Sequence, residues 1–165
     1  MAPFKIISLI ILLNCILASC AGKDQGFIDR NKISENSLKL DEALIKRYGA
    51  DKYGMKPYVM AFLKRGPNRD QDSVEAERLQ RAHLDNIGRL AKMGKLVVAG
   101  PFMDDTDLRG IYIFNVETVE EAKKLTETDP AIKAGRLIME LHPWYGPAGF
   151  MGLDSIQKKI TKEVI

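Results

Sequence analysis

Two side chains in this sequence have the chemistry and the setting to handle a proton: His83 and Asp129. His83 stands in "RAHLDNIG", one helical turn from Leu79 and one from Ile87, so the three share a helix face. An imidazole on such a face is either a satisfied core residue or the wall of a pocket. Burial disfavours its charged form and a nearby carboxylate favours it, and that balance poises a histidine to exchange protons near neutrality. Asp129 is the best carboxylate partner, because it sits at a forced chain reversal next to Pro130. An aspartate ahead of a proline is equally a helix N-cap, and both readings stand. The second histidine, His142, precedes Pro143-Trp144-Tyr145 and reads as a structural strand-end residue beside an aromatic cluster. Phe102, Tyr112 and Trp144 are the candidate walls of a pocket, or ordinary core.

Other chemistries lack their residues. There is no G-x-S-x-G elbow, no Walker A loop and no dinucleotide glycine fingerprint, so no nucleotide cofactor is expected. Two separated histidines make a poor zinc set. The acidic loop Asp104, Asp105 and Asp107 lacks the glycine and distal glutamate of an EF-hand, so no metal is expected there either. With 25 basic against 22 acidic residues and a net charge of +3, interspersed along the chain, nothing forms the basic stripe that nucleic acid requires.

The chain that must position these groups has 165 residues, 45% of them hydrophobic, enough for one ordinary core. Residues 1–20 stand apart from it. Lys5 and the apolar run Ile6 to Leu13 have the form of a signal peptide, too short for a membrane span. Leu17-Ala18-Ser19-Cys20 then resembles a bacterial lipobox, which implies acylation of Cys20 and a lipid anchor on the periplasmic or cell-surface side of a bacterial membrane. An ordinary secretory cut near Ala18 to Ala21, or an uncleaved anchor, is the rival reading. With Cys15 discarded and Cys20 lipidated, the mature chain would have no thiol for a disulfide or a nucleophile.

Residues 21–56 read as a polar tether followed by a short amphipathic helix that ends at Gly49. Residues 57–146 form the main domain. Pro57 to Lys64 is a nearly continuous apolar run, read as an inner strand buried on both faces. Asp72 and Glu75 form a capping box that opens a long helix up to Gly94. Leu96 to Ala99 and Ile111 to Val116 are the next strands. Thr118 with Glu121 caps a second helix, Asp129-Pro130 starts a further helical turn that Gly135 stops, and Arg136 to His142 is a fourth strand. Residues 147–165 form a tail with a weakly amphipathic helix.

The order β-α-β-β-α-β predicts an α+β, ferredoxin-like domain, with two helices on one face of a four-stranded antiparallel sheet. The other face is apolar too and needs a cover. A sheet-to-sheet homodimer, as in a dimeric α/β barrel, would supply one; the helix before Pro57 and the tail are rivals.

"HLDNIGRLAKMGKLVVAGPF", "GIYIFNVETVEEAKKL", "TDPAIKAGRL" and "HPWYG" together resemble the YCII-related domain family across roughly Tyr58 to Trp144. The resemblance implies dimerisation through the sheets and an active site built on a His-Asp pair, carried here by His83 and Asp129. One group of the family dehydrochlorinates an aromatic ring compound, while most members have no assigned reaction. The expectation is therefore an exported, lipid-anchored domain with a pocket for an unknown small molecule, suited to acid-base chemistry of the lyase or isomerase kind. A binding or interaction module of the cell envelope, with no turnover, is the alternative.

Overall fold

The structure is a computed structural model, and it describes residues 39–163. The expected leader, both cysteines and the greater part of the expected tether lie outside the described residues. Asp41 caps α1, Glu42–Tyr48, through Leu44 N, and Gly49 closes it with a left-handed φ of 67°. Next come β1, Met55–Arg65; α2, Ser73–Lys92; β2, Leu96–Pro101; and β3, Leu108–Phe114. After these follow α3, Val119–Thr126; the single turn α4, Pro130–Lys133; β4, Leu137–Pro147; a 3-10 segment, Ala148–Gly152; and α5, Leu153–Ile160.

The four strands form one sheet in the order β2-β3-β1-β4 with every pairing antiparallel, so the ferredoxin-like α+β plan expected from the element order is the observed fold. The capping boxes act where the sequence places them. Asp72 accepts from Glu75 N at 2.8 Å to start α2, and Thr118 accepts from Glu121 N at 3.2 Å to start α3. Val59, Ala61 and Leu63 of β1 point to the helices and are buried together with Leu90 of α2, Phe114 of β3 and Ala122 of α3.

The opposite face differs from expectation. β1 is not buried on both sides along its length: Tyr58 is closed over, but Met60 and Phe62 are only half-buried. The reason is the tail. Phe150 of the 3-10 segment packs against Tyr58 and Trp144, with ring centroids 6.4 and 5.7 Å away, and this cover stops at that end of the sheet. Beyond it Ile138 is 46% exposed.

Strand boundaries also shift, most in β3 and β4. β3 begins at Leu108 rather than Ile111 and ends before Val116. β4 runs on to Pro147, through Pro143, because it is an edge strand and a missing backbone N–H costs little there. His142 is thus mid-strand, not at a strand end. It is exposed on the open face beside Phe62 and 2.8 Å from Glu140 Oε1.

One close approach fixes the end of the sheet nearest the site. Gly66 N donates to Arg136 O at 2.9 Å, and a Cβ on Gly66 would lie 2.1 Å from Gly135 O. Gly135 itself takes φ 68°, a conformation in which a side chain is strained. Only glycine at both positions lets the segment after β1 cross the turn before β4 at this distance.

Candidate acid-base site

His83 is carried on the sheet-facing side of α2, and Asp129 is held at the N-terminus of α4. His83 Nδ1 lies 2.7 Å from Asp129 Oδ2, and the pair is buried, with Asp129 wholly inaccessible. The aspartate performs both of the roles that its sequence context offers. Oδ1 accepts from Ala131 N at 2.9 Å as the N-cap of α4, with Pro130 in the first helical turn, and this leaves Oδ2 for the imidazole. A second network anchors the linker from α3. Arg89 Nη2 donates to Asn86 Oδ1 at 2.8 Å and to Thr128 Oγ1 at 2.7 Å, which ties α2 to the residue before Asp129.

A carboxylate only accepts, so Nδ1 carries the proton of this bond, and in the neutral ring Nε2 is then the nitrogen with the lone pair. Tyr112, from the centre of β3, completes the arrangement. Its hydroxyl lies 3.3 Å from Nε2, and its ring is stacked on the imidazole at 6.2 Å between centroids. Burial, reinforced by the nearby Asp129 charge, pushes the Tyr112 phenol well above the usual tyrosine range, so it is held as a proton donor and not as a base. The sequence Asp129, His83, Tyr112 is therefore an orienting carboxylate, an imidazole whose Nε2 faces a hydroxyl, and that neutral hydroxyl.

His83 and Tyr112 line a cavity of about 710 Å³ between α2 and the sheet, a volume suited to a small molecule. Leu63, Leu84, Ile87 and Leu137 make its apolar walls. Arg69, Arg109 and Arg136 also line it, and Gln157, Thr161 and Glu163 bring the tail to its edge. A lone pair in this setting can take a proton from a bound molecule, while the hydroxyl can donate to an oxygen that gains charge. Among the described residues no cluster of three histidine, cysteine or acidic side chains could hold a metal ion. Asp105 of the acidic loop instead pairs with Arg109 at 2.9 Å.

Of the three aromatic residues offered as pocket walls, Tyr112 alone lines the cavity. Trp144 is paired with Tyr58 in register, so it projects from the face away from the helices, and its ring lies 5.8 Å from that of Tyr58. Phe102 falls just past the end of β2 and is 42% exposed. Arg69, Arg136 and the link from Arg89 to Thr128 had no sequence signal, since their partners lie 39 to 67 positions away in the chain.

Residues 58–145 match the family model described as the YCII-related domain, slightly more than half of the chain. No curated protein matches. Among solved structures, the chain is similar to a 5-chloro-2-hydroxyhydroquinone dehydrochlorinase from Burkholderia phenoliruptrix AC1100, in complex with 2,5-dihydroxybenzoquinone. That likeness has 24% identity and a TM-score of 0.39, and covers 52% of this chain and 92% of the other.

Proposed function

The chain belongs to the YCII-related domain family, and from that premise we propose that it is an enzyme acting on a small molecule by proton transfer, of the lyase or isomerase kind. His83 is the proton-transferring group, Asp129 fixes its tautomer and offsets the charge that forms on it, and Tyr112 donates to the developing oxygen charge. The observation that carries this reading is the 2.7 Å contact between His83 Nδ1 and a buried, doubly engaged carboxylate, in a histidine that lines a cavity.

The test is proton exchange, which needs no knowledge of the product. The protein is incubated in heavy water with a panel of small carbonyl compounds and phenols, and deuterium uptake is followed by mass spectrometry. The expected result is catalysed uptake into at least one compound by the parent and none by His83→Gln. Equal uptake with both proteins, or none with either, would sink the proposal.

One observation favours a second reading. Both nitrogens of His83 already have partners within the protein, Asp129 on one side and the Tyr112 hydroxyl on the other. A pocket satisfied in this way suits a module that binds its ligand without turnover, and saturable binding with no exchange in any compound is its signature.

The location and assembly complete the proposal. The leader-like and lipobox-like residues 1–20 support export and lipidation at Cys20, which would hold the domain at a bacterial membrane on the periplasmic or cell-surface side. Among the described residues no helix is long and apolar enough to cross a membrane. Incorporation of an alkyne fatty acid into the parent, absent in Cys20→Ala, is the expected result, and equal labelling of both removes the anchor. The half-covered sheet face around Met60, Phe62 and Ile138 supports a homodimer packed sheet to sheet.

A further inference from the structure

The cavity has a charged end that the acid-base reading does not use. Arg69, Arg109 and Arg136 all line it, against a single acidic lining residue, Glu163 from the tail. Three different elements deliver these guanidinium groups. Arg69 follows β1, Arg109 belongs to β3, and Arg136 sits in the turn before β4, where the Gly66 and Gly135 backbones cross.

Their internal partners leave positive charge uncompensated. Arg69 Nη1 donates to the backbone oxygen of Arg136 at 3.2 Å, and Arg136 Nη1 donates to Gln71 Oε1 at 2.9 Å. Both acceptors are neutral. Among the described residues neither Arg69 nor Arg136 forms an ion pair, and Arg109 has only Asp105, which is itself almost fully exposed. The proximity of like charges is felt: partial burial first, and then the charges of Arg136, Arg65 and Arg109, hold the Arg69 guanidinium below its ordinary range.

Three guanidinium groups of which only Arg109 has an ion-pair partner, lining a cavity with apolar walls, match the planar, bidentate geometry of a carboxylate or phosphate. We propose that the ligand of this cavity is a small organic anion, with its carboxylate or phosphate held by Arg69 and Arg136 beside Arg109, and its apolar body laid along Leu63, Ile87 and Leu137 toward His83 and Tyr112. This rests on the reading of the cavity as a ligand site, and it adds the substrate class. An anchored anion leaves one end of the molecule fixed, so that the reacting end is presented to Nε2 in a limited set of positions.

The test compares benzoate with benzamide, which share shape and differ in charge, by calorimetric titration of the full-length protein in non-ionic detergent. Benzoate is expected to bind about tenfold more tightly or better, the range set by a charge-assisted hydrogen bond. Inorganic phosphate should compete with it. Arg69→Gln and Arg136→Gln should each remove most of that preference, while Arg136→Lys, which keeps the charge but not the fork, should retain part of it and guard against simple misfolding. Equal affinity for the two probes, binding of neither, or a preference indifferent to the arginine variants would overturn the anion site.

The two readings fail separately. His83→Gln should preserve the benzoate preference over benzamide, because that preference is assigned to Arg69 and Arg136. A parent that prefers benzoate but catalyses no proton exchange rejects only the acid-base role, and a parent that exchanges protons but shows no benzoate preference rejects only the anion site.

Discussion

Replacing Asp129 by alanine and, separately, by asparagine divides its two duties, since one oxygen caps α4 and the other binds His83. Alanine removes both contacts. The lost N-cap costs about 1 kcal/mol. A buried imidazole N–H left without an acceptor costs about 1–3 kcal/mol more. The sum is about 2–4 kcal/mol, which for a domain of this size lowers Tm by roughly 10 °C.

Asparagine should behave differently, for a reason that the geometry dictates. Ala131 N–H needs an acceptor, so the amide oxygen must take that position, and the NH2 group is then turned toward His83 Nδ1. A donor facing Nδ1 forces the imidazole proton to Nε2. The cap survives, because asparagine is as good an N-cap as aspartate. The loss is confined to exchanging a charge-assisted hydrogen bond for a neutral one, about 1 kcal/mol. Asp129→Asn should therefore melt several degrees above Asp129→Ala yet have no lone pair facing the cavity. Calorimetry gives the two melting temperatures, and 15N chemical shifts of the His83 ring give the tautomer. A parent with the proton on Nδ1, a variant with it on Nε2, and proton exchange abolished in the variant are the expected set. An unchanged tautomer in Asp129→Asn, or equal melting of the two variants, would refute the argument that one carboxylate serves the cap and the imidazole at once.

Three further outcomes can be checked independently. The raised Tyr112 phenol implies alkaline destabilisation: above pH 10 the unfolded chain releases this proton and the folded one keeps it, so stability falls as pH rises by up to about 1.4 kcal/mol per unit from this residue. Urea unfolding at pH 9 and pH 11 should show a smaller decline for Tyr112→Phe than for the parent. Gly66→Ala places a methyl group against Gly135 O, and should cost about 1–3 kcal/mol as an overpacking change that also moves Arg136, seen as a lowered urea midpoint and a weakened benzoate preference. Phe62→Glu puts a charge on the half-covered sheet face while leaving the helix-facing core untouched, and sedimentation velocity should report a monomer where the parent sediments as a dimer.

What the sequence made legible follows from how locally each feature is encoded. The helices announced themselves through capping boxes at Asp72 and Thr118 and through terminal glycines, signals confined to a few consecutive residues. The partnership of His83 with Asp129, 46 positions apart, needed the order of elements as well, since only the split β-α-β plan brings the N-terminus of α4 to the sheet-facing side of α2. Trp144 shows where such reasoning stops. An aromatic residue next to His142 invites placement in a pocket, but strand register sends alternate residues to opposite faces, and pairing with Tyr58 sends this one away from the cavity. The length of β4 is hidden for a related reason: Pro143 ends a strand only when its neighbours on both sides need its N–H, and whether a strand lies at an edge is a property of the whole sheet. The arginine cluster was the least legible of all. Arg69, Arg109 and Arg136 are ordinary surface residues when read along the chain, and they line one cavity only in the folded sheet, where the close approach of Gly66 to Gly135 brings the segment after β1 to the turn before β4. On the proposed reading the recognisable motif carries the proton chemistry and selection of the ligand falls to residues with no motif, an arrangement by which one fold could keep a His-Asp pair and act on unrelated molecules.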